Sequence, residues 1–105
     1  GMSMPQLIDD RRQARIVLEA MRNIPLDPQI LLELHYWEKL SGAALGEVLG
    51  VPENTIYGRL RRARTLLTAE IRRLEKDPVR LATTLTTLDD LIASLREEAA
   101  RRHPR

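Results

Sequence analysis

The chain has 105 residues, 43% hydrophobic and 30% charged, with 17 Lys and Arg against 15 Asp and Glu, no Cys, no Phe and three aromatic residues in all. Such a length suits one small soluble domain, or one domain with an appended helix, and 18 Leu beside so few aromatics indicates aliphatic helix packing and argues against an all-β fold. The absence of Cys excludes a disulfide framework and a thiolate zinc site, and no run approaches the roughly 18 apolar residues needed to span a bilayer, so a cytoplasmic protein is expected.

Residues 1–5 lack the basic-then-apolar layout of a signal peptide, and Gly1 ahead of Met2 reads as the scar of a cleaved tag with a disordered start. Residues 6–23 predict a helix, because Leu7, Ala14, Val17, Leu18 and Met21 recur at helical spacing and leave Asp9, Asp10, Arg11, Arg12 and Arg15 for its outer side. Asn23, Ile24 and Pro25 end it. Asp27 then predicts an N-cap with Pro28 at the first helical position, opening a helix to about Lys39 whose Ile30, Leu31, Leu34 and Trp37 supply core. Ser41 predicts the cap of a short helix over residues 42–49, with Ala44, Leu45, Val48 and Leu49 as its apolar positions, and Gly50 stops it. Pro52 suits a first helical turn and Glu53 the positive end of a helix dipole, so the next helix runs to about Lys76 with no breaker but Gly58. Last, Asp77 and Pro78 open a helix to about Arg101, in which Leu81, Leu85, Leu88, Ile92, Leu95 and Ala99 follow a 4-3-4-3-4 spacing, a heptad-like seam. That seam demands a cover: either it packs back on the chain, or Leu81, Leu85, Leu88, Ile92 and Leu95 meet a second copy or another protein. Four Thr between positions 83 and 87 weaken the start of this helix.

The net charge of +2 conceals an asymmetry. Residues 1–53 carry five Arg and Lys against eight Asp and Glu, a net −3; residues 54–73 carry six Arg against one Glu, a net +5; residues 74–105 balance at six of each. A positive field concentrated in one predicted helix beside an acidic body points to a polyanion partner. The short helix, the turn at Gly50 and the longer helix have the layout of a helix-turn-helix. It wants a small residue in the first helix, a Gly in the turn and an apolar lock on the second helix, needs that Gly46, Gly50 and Ile56 meet.

On a wheel of about 100° per residue with Ile56 at the origin, Leu60, Ala63 and Leu67 lie within roughly 40° and form a buried stripe. Opposite, at about 100°, 140°, 180°, 200° and 240°, lie Tyr57, Arg61, Thr65, Gly58 and Arg62. Arg61 and Arg62 are the candidates for base contact, since Arg pairs bidentately with the O6 and N7 of guanine. Thr65 and Tyr57 accompany them, the Tyr stacking on a sugar or touching a thymine methyl. Arg59 and Arg64 flank the buried stripe and are placed for phosphates on the groove walls, while Thr55 and the free N–H groups of the first turn can hold another.

The stretch over residues 24–67, IPLDPQILLELHYWEKLSGAALGEVLGVPENTIYGRLRRARTLL, resembles region 4 of sigma-70 family factors, most closely the extracytoplasmic-function (ECF) group. That group reads approximately Leu-Pro, an apolar helix, a Gly-Leu-Ser-like link, an Ile-Ala-Glu-x-Leu-Gly helix, Val-Pro, Gly-Thr-Val and Ser-Arg-Leu-x-Arg-Ala-Arg. Matching residues here are Pro25, Leu40, Ser41, Glu47, Leu49, Gly50, Val51, Pro52, Thr55, Ile56, Arg59, Leu60, Arg62, Ala63 and Arg64. The resemblance implies an all-α fold, a four-helix, winged-helix-like domain of the sigma region 4 helix-turn-helix type over residues 6–76; the helix read from Asp77 and Pro78, with its basic tail, is an extra C-terminal helix over residues 77–105. The resemblance further implies binding of double-stranded promoter DNA at the minus-35 element through the last helix of the domain, docking on the β flap of the RNA polymerase core, an anti-sigma partner, and residence on the nucleoid.

Several departures stand out. Gly46 replaces the usual Ala, Asn54 the usual Gly, and Tyr57-Gly58 stands where many members have Lys or Arg followed by Ser. The position of Gly58 is often a DNA contact in the family. A Gly offers no side chain there and costs up to ~1 kcal/mol of helix stability, so either the promoter sequence differs or DNA binding is weaker. The ECF group also carries an aromatic-rich region 2 that stacks on unpaired bases. Tyr36, Trp37 and Tyr57 are the whole aromatic complement here, so this chain alone is not expected to open a promoter. It is either the C-terminal piece of a longer factor or a stand-alone regulator.

The residues lend nothing to catalysis. His35 and His103 are the only imidazoles and lack metal-ligand spacing with a carboxylate pair. Asp89 and Asp90 diverge on a helix, and no Gly-rich phosphate loop occurs. Neither an enzyme activity nor a metal or cofactor is expected. One rival reading is a stand-alone LuxR or response-regulator output domain, which uses a similar layout and binds DNA as a dimer on half-sites about one turn apart; the Arg-Leu-x-Arg-Ala-Arg ending favours the sigma family. Another is a protein-binding module, in which an anti-sigma factor or the polymerase holds the domain and its final helix.

Overall fold

The computed structural model describes the backbone of residues 4–102 and the side chains of residues 11–100. Gly1, His103, the basic tail and the side chains of Leu7, Asp9 and Asp10 lie outside the described residues. Within them the chain forms α1 (Met4–Asn23), α2 (Leu26–Tyr36), α3 (Gly42–Leu49), α4 (Glu53–Leu74), α5 (Pro78–Thr86) and α6 (Leu88–Arg102), with no strand. No helix among the described residues is long and apolar enough to cross a membrane.

The axis of the fold is α4. Its Ile56, Leu60, Ala63, Leu67 and Ile71 recur every three or four residues, and all five are buried. Against that stripe α1 sets Val17, Leu18, Ala20 and Met21, α2 sets Leu31 and Leu32, and α3 sets Leu45. Other apolar positions depart from expectation. Ile30, Val48 and Leu49 are exposed rather than core, because α2 and α3 each turn only one narrow side to α4 and leave a groove between them.

Local signals explain most boundaries. Ser41 caps α3 by accepting the Ala44 N–H at 3.1 Å, and Gly50 closes it at φ 71°, the left-handed conformation that glycine adopts without strain. The expected cap at Asp27 is displaced. Here α2 opens at Leu26 after Pro25, whose carbonyl accepts the Gln29 N–H at 3.1 Å, and Asp27 lies in the first turn, where its charge favours the positive helix end. Pro28 allows this, since the first turn needs no N–H from it. The same helix stops at Tyr36, ahead of the expected Lys39, because Lys39 itself takes φ 59° and turns the chain. His35 Nδ1–H donates to the Leu40 carbonyl at 2.8 Å and braces that turn.

The single C-terminal helix expected from residue 77 is two helices. Asp77 caps α5, accepting the Val79 and Arg80 N–H groups at 2.9 and 3.0 Å. The hydroxyls of Thr83, Thr86 and Thr87 donate to the carbonyls of Val79, Ala82 and Thr83 at 3.1, 2.7 and 2.9 Å, a back-bonding that bends helices. Thr87 leaves helical geometry at φ −105°, ψ 20°, and the chain turns into α6.

Through that break the seam folds onto the chain's own core. Leu88, Ile92 and Leu95 are buried, with Leu81, Leu85 and Ala99 packed against the same cluster, and α6 lies along α1. Of the covers that the seam of Leu81, Leu85, Leu88, Ile92 and Leu95 could take, the structure shows packing back on the chain's own core. Polar ties reinforce the contact. Arg12 pairs with the buried Glu75 at 2.6 Å, Arg15 with the buried Glu98 at 3.6 Å, and Trp37 Nε1–H donates to the Ile92 carbonyl at 2.8 Å.

Replacing the fully buried Ile92 by Ala is expected to cost about 2–5 kcal/mol in chemical denaturation. Val79→Ala, at a site 75% exposed, is expected to stay within about 0.5 kcal/mol. The Asp77 cap has a pH signature. The Arg80 amide above all, with the Val79 amide and the Arg80 and Arg12 charges, holds the Asp77 carboxyl below the ordinary carboxylate range against desolvation. A folded pKa depressed in this way contributes stability that is full above the unfolded value and is lost as pH falls through the folded one. In an acid titration followed by NMR, the Val79 and Arg80 amide shifts should move together with one midpoint below the ordinary carboxylate value. In Asp77→Ala that titration should vanish.

Candidate nucleic-acid interface

The α3–turn–α4 unit closes tightly because glycines stand where the helices cross. A Cβ on Gly46 would lie 2.7 Å from the Val51 carbonyl oxygen, and the Val51 N–H in turn donates to the Gly46 carbonyl at 3.0 Å. The small residue is thus required by the approach of the turn itself. At the other end of α3, a Cβ on Gly42 would lie 2.6 Å from Tyr57 Cζ, so the Tyr57 ring rests on the start of α3. Its hydroxyl donates to Glu53 Oε1 at 3.1 Å, and that bond to a carboxylate raises the Tyr57 pKa above its ordinary value. Tyr57 remains half exposed, with its hydroxyl occupied.

Opposite the buried stripe, α4 presents Asn54, Gly58, Arg61, Thr65 and Arg72, at roughly 160°, 200°, 140°, 180° and 160° on the same wheel. All but the half-buried Gly58 are exposed. Arg61 and Arg62, about 100° apart on the wheel and both expected to contact bases, lie on different flanks of the helix. Arg62 joins Arg59 on the rim of a groove of about 630 Å³ between α2 and α4, floored by Ile30, Leu31, Leu34 and Leu49. Arg61 lies on the other flank with Arg64, Thr65, Thr68 and Arg72. Thr65 Oγ1–H donates to the Arg61 carbonyl at 3.0 Å, which occupies its hydroxyl proton. Thr55 is half-buried, and its N–H and that of Ile56 are taken by the Pro52 carbonyl at 3.0 and 3.3 Å. The first-turn donors left are the amides of Glu53 and Asn54.

Arg64 differs from the other arginines of this helix. Its Nη1 donates to Tyr36 Oη at 2.7 Å and to Asp89 Oδ1, while the Tyr36 hydroxyl donates to the same Asp89 oxygen at 3.0 Å. This closed triad joins α4, α2 and α6. Arg73 is also paired, with Glu70 at 2.7 Å. Among the described residues no carboxylate pairs with Arg59, Arg61, Arg62 or Arg72, and no group of three His, Cys, Asp or Glu is arranged to hold a metal. The residues that sequence reasoning missed are Asn54, Arg72, Tyr36 and Asp89. Extending the wheel one turn toward each end of α4 finds the first two. Nothing local to the sequence joins the last two to Arg64.

A family model described as Sigma-70, region 4 matches residues 14–67, from within α1 to two-thirds of the way along α4. The chain belongs to that family. Sigma-70 region 4 is a DNA-binding regulatory domain of sigma-type transcription, which works with promoter DNA and RNA polymerase, and not an enzyme family. No curated protein and no solved structure matches the chain. The end of α4 and both α5 and α6 fall outside the region 4 match, so Asp89 reaches Arg64 from beyond the family's span.

The Arg64–Asp89 pair is exposed, at 37% and 62% for the two side chains. Asp89→Asn is therefore expected to change the unfolding free energy by no more than about 1 kcal/mol at low salt and by nothing measurable at high salt. A salt-independent loss well above that range would show instead that the triad holds α6 in place.

Proposed function

We propose that the protein binds the minus-35 element of promoter DNA as region 4 of an ECF-type sigma factor, working on the nucleoid in the cytoplasm with α4 in the major groove. The observation that carries this reading is the division of α4: one face is buried from Ile56 to Ile71, while the opposite face bears exposed arginines with no carboxylate partner. A single helix of this kind fits a major groove about 12 Å wide. Arg61 and Arg62 contact base edges. Thr65 offers its methyl to a thymine methyl, and Tyr57 offers its ring to a sugar or thymine methyl. Arg59, Thr55 and the amides of Glu53 and Asn54 hold phosphates at the helix start. Arg64 contributes only when a phosphate displaces Asp89.

The groove between α2 and α4 supports the polymerase half of the reading. Ile30, Leu31, Leu34 and Leu49 line it, Ile30 and Leu49 being exposed, a surface fitted to the apolar face of an amphipathic element such as the β flap, while Arg59 and Arg62 stay with the DNA. An anti-sigma factor would compete for the same surface.

The test is duplex binding measured across salt concentrations. Arg61→Ala and Arg62→Ala should each lose about 1–3 kcal/mol on the preferred site and relax base preference. Arg59→Ala should weaken all sequences alike and lower the salt slope by about one, and Arg64→Ala should lower it by less, since Asp89 already neutralises that charge. Survival of both duplex binding and its salt dependence after removal of Arg59, Arg61, Arg62 and Arg64 together would overturn the assignment. Binding as a dimer to two half-sites one turn apart would identify a LuxR-like regulator instead.

A further inference from the structure

We infer that Asn54 and Arg61 form one base-reading unit across Gly58, in which Arg61 lies over the glycine to take a guanine and Asn54, one turn nearer the helix start, takes an adenine. The inference rests on the reading of α4 as a major-groove helix and deepens it by naming the bases.

Gly58 has no conformational reason to be glycine. It lies inside α4 without a positive φ, where glycine is disfavoured. What its missing side chain leaves is room. A Cβ built there meets a single atom within 4 Å, Nη2 of Arg61 at 3.9 Å. The Arg61 guanidinium thus folds back toward the start of α4 and lies above Gly58. The missing side chain thus leaves the Arg61 guanidinium at contact distance over the glycine, where a longer side chain would stand in its way.

Asn54 completes the unit. It is exposed, stands four residues before Gly58 on the same face, and lies in the first turn, the part of a recognition helix that points at base edges. The polar groups next to each are engaged: Glu53, beside Asn54, accepts from Tyr57, and Thr65, beside Arg61, donates to the Arg61 carbonyl. The Asn54 amide and the Arg61 guanidinium have no such partner among the described residues. Asn pairs bidentately with adenine N6 and N7 as Arg does with guanine O6 and N7. Seven residues of helix span ~10 Å, about three base-pair steps, and the backward fold of Arg61 shortens that distance.

The experiment selects binding sites for the full chain from a randomised duplex library, then measures affinity for the selected site and its single-base variants. The wild type should select a guanine and an adenine within about three base pairs of each other. Asn54→Ala should lose discrimination at the adenine alone by about 5- to 150-fold, with the salt slope unchanged. Gly58→Leu, a better helix former that fills the space under Arg61, should lose the guanine preference as Arg61→Ala does while circular dichroism stays that of the wild type. Selection of the same site with the same discrimination by Asn54→Ala and Gly58→Leu would overturn the inference and leave the proposed function standing. Failure of the wild type to select any site would overturn both.

Discussion

Because Ile56, Leu60, Ala63, Leu67 and Ile71 are all buried, α4 cannot turn about its axis without exposing one end of the core. Each fully buried large aliphatic side chain is worth about 1.5–3 kcal/mol relative to exposure, so the rotational setting of this helix is the most strongly determined feature of the molecule. The direction of the opposite face follows from it. Asn54, Gly58, Arg61 and Thr65 point outward because each stands two residues, about 200° of helix, before one of the inward-pointing Ile56, Leu60, Ala63 and Leu67. The surface that meets a partner is thus positioned by residues that never touch one.

The same constraint explains what was legible in the sequence. Caps are local: Ser41, Gly50 and Asp77 each act within a few residues of themselves, and each acts as its residue type predicts. The α4 stripe was legible for the same reason, since period and residue type coincide over several turns. Two kinds of feature were not. At Asp27 the start signal was displaced by two residues, since Pro28 fits within the first turn as well as at its first position and the helix opens at Leu26 after Pro25. Where a periodic seam crossed a weak point, as at Thr87, the spacing of Leu85 and Leu88 gave no sign of a bend, because the bend keeps both residues on the core. The wheel likewise assigned directions to Arg61 and Arg62 but not neighbours, and the packing of α2 on α4 decides that Arg62 lines a groove.

Charge on α4 is sharpened by its partners rather than only summed. Of the six arginines between residues 54 and 73, Arg64 is answered by Asp89 and Arg73 by Glu70, and the remaining excess gathers on Arg59, Arg61, Arg62 and Arg72. At the helix start the one acid, Glu53, is turned toward Tyr57. The unpaired positive charge therefore sits on the outward stripe and on the groove, where Asp27 faces Arg59 and Arg62 across the lining.

The C-terminal helices carry a further consequence of that geometry. Once α1 packs on α4, the outer side of α1 still needs a cover, and α6 supplies it with Leu88, Ile92 and Leu95. Burying Leu88 in the first turn of α6 sets Asp89 beside it at the positive end of that helix, where a carboxylate is favoured. From there Asp89 meets both the Tyr36 hydroxyl and the Arg64 guanidinium. The apolar contact that stabilises the fold is therefore also the one that neutralises Arg64, so core packing and the charge of the outward surface are joined at two adjacent residues, Leu88 and Asp89.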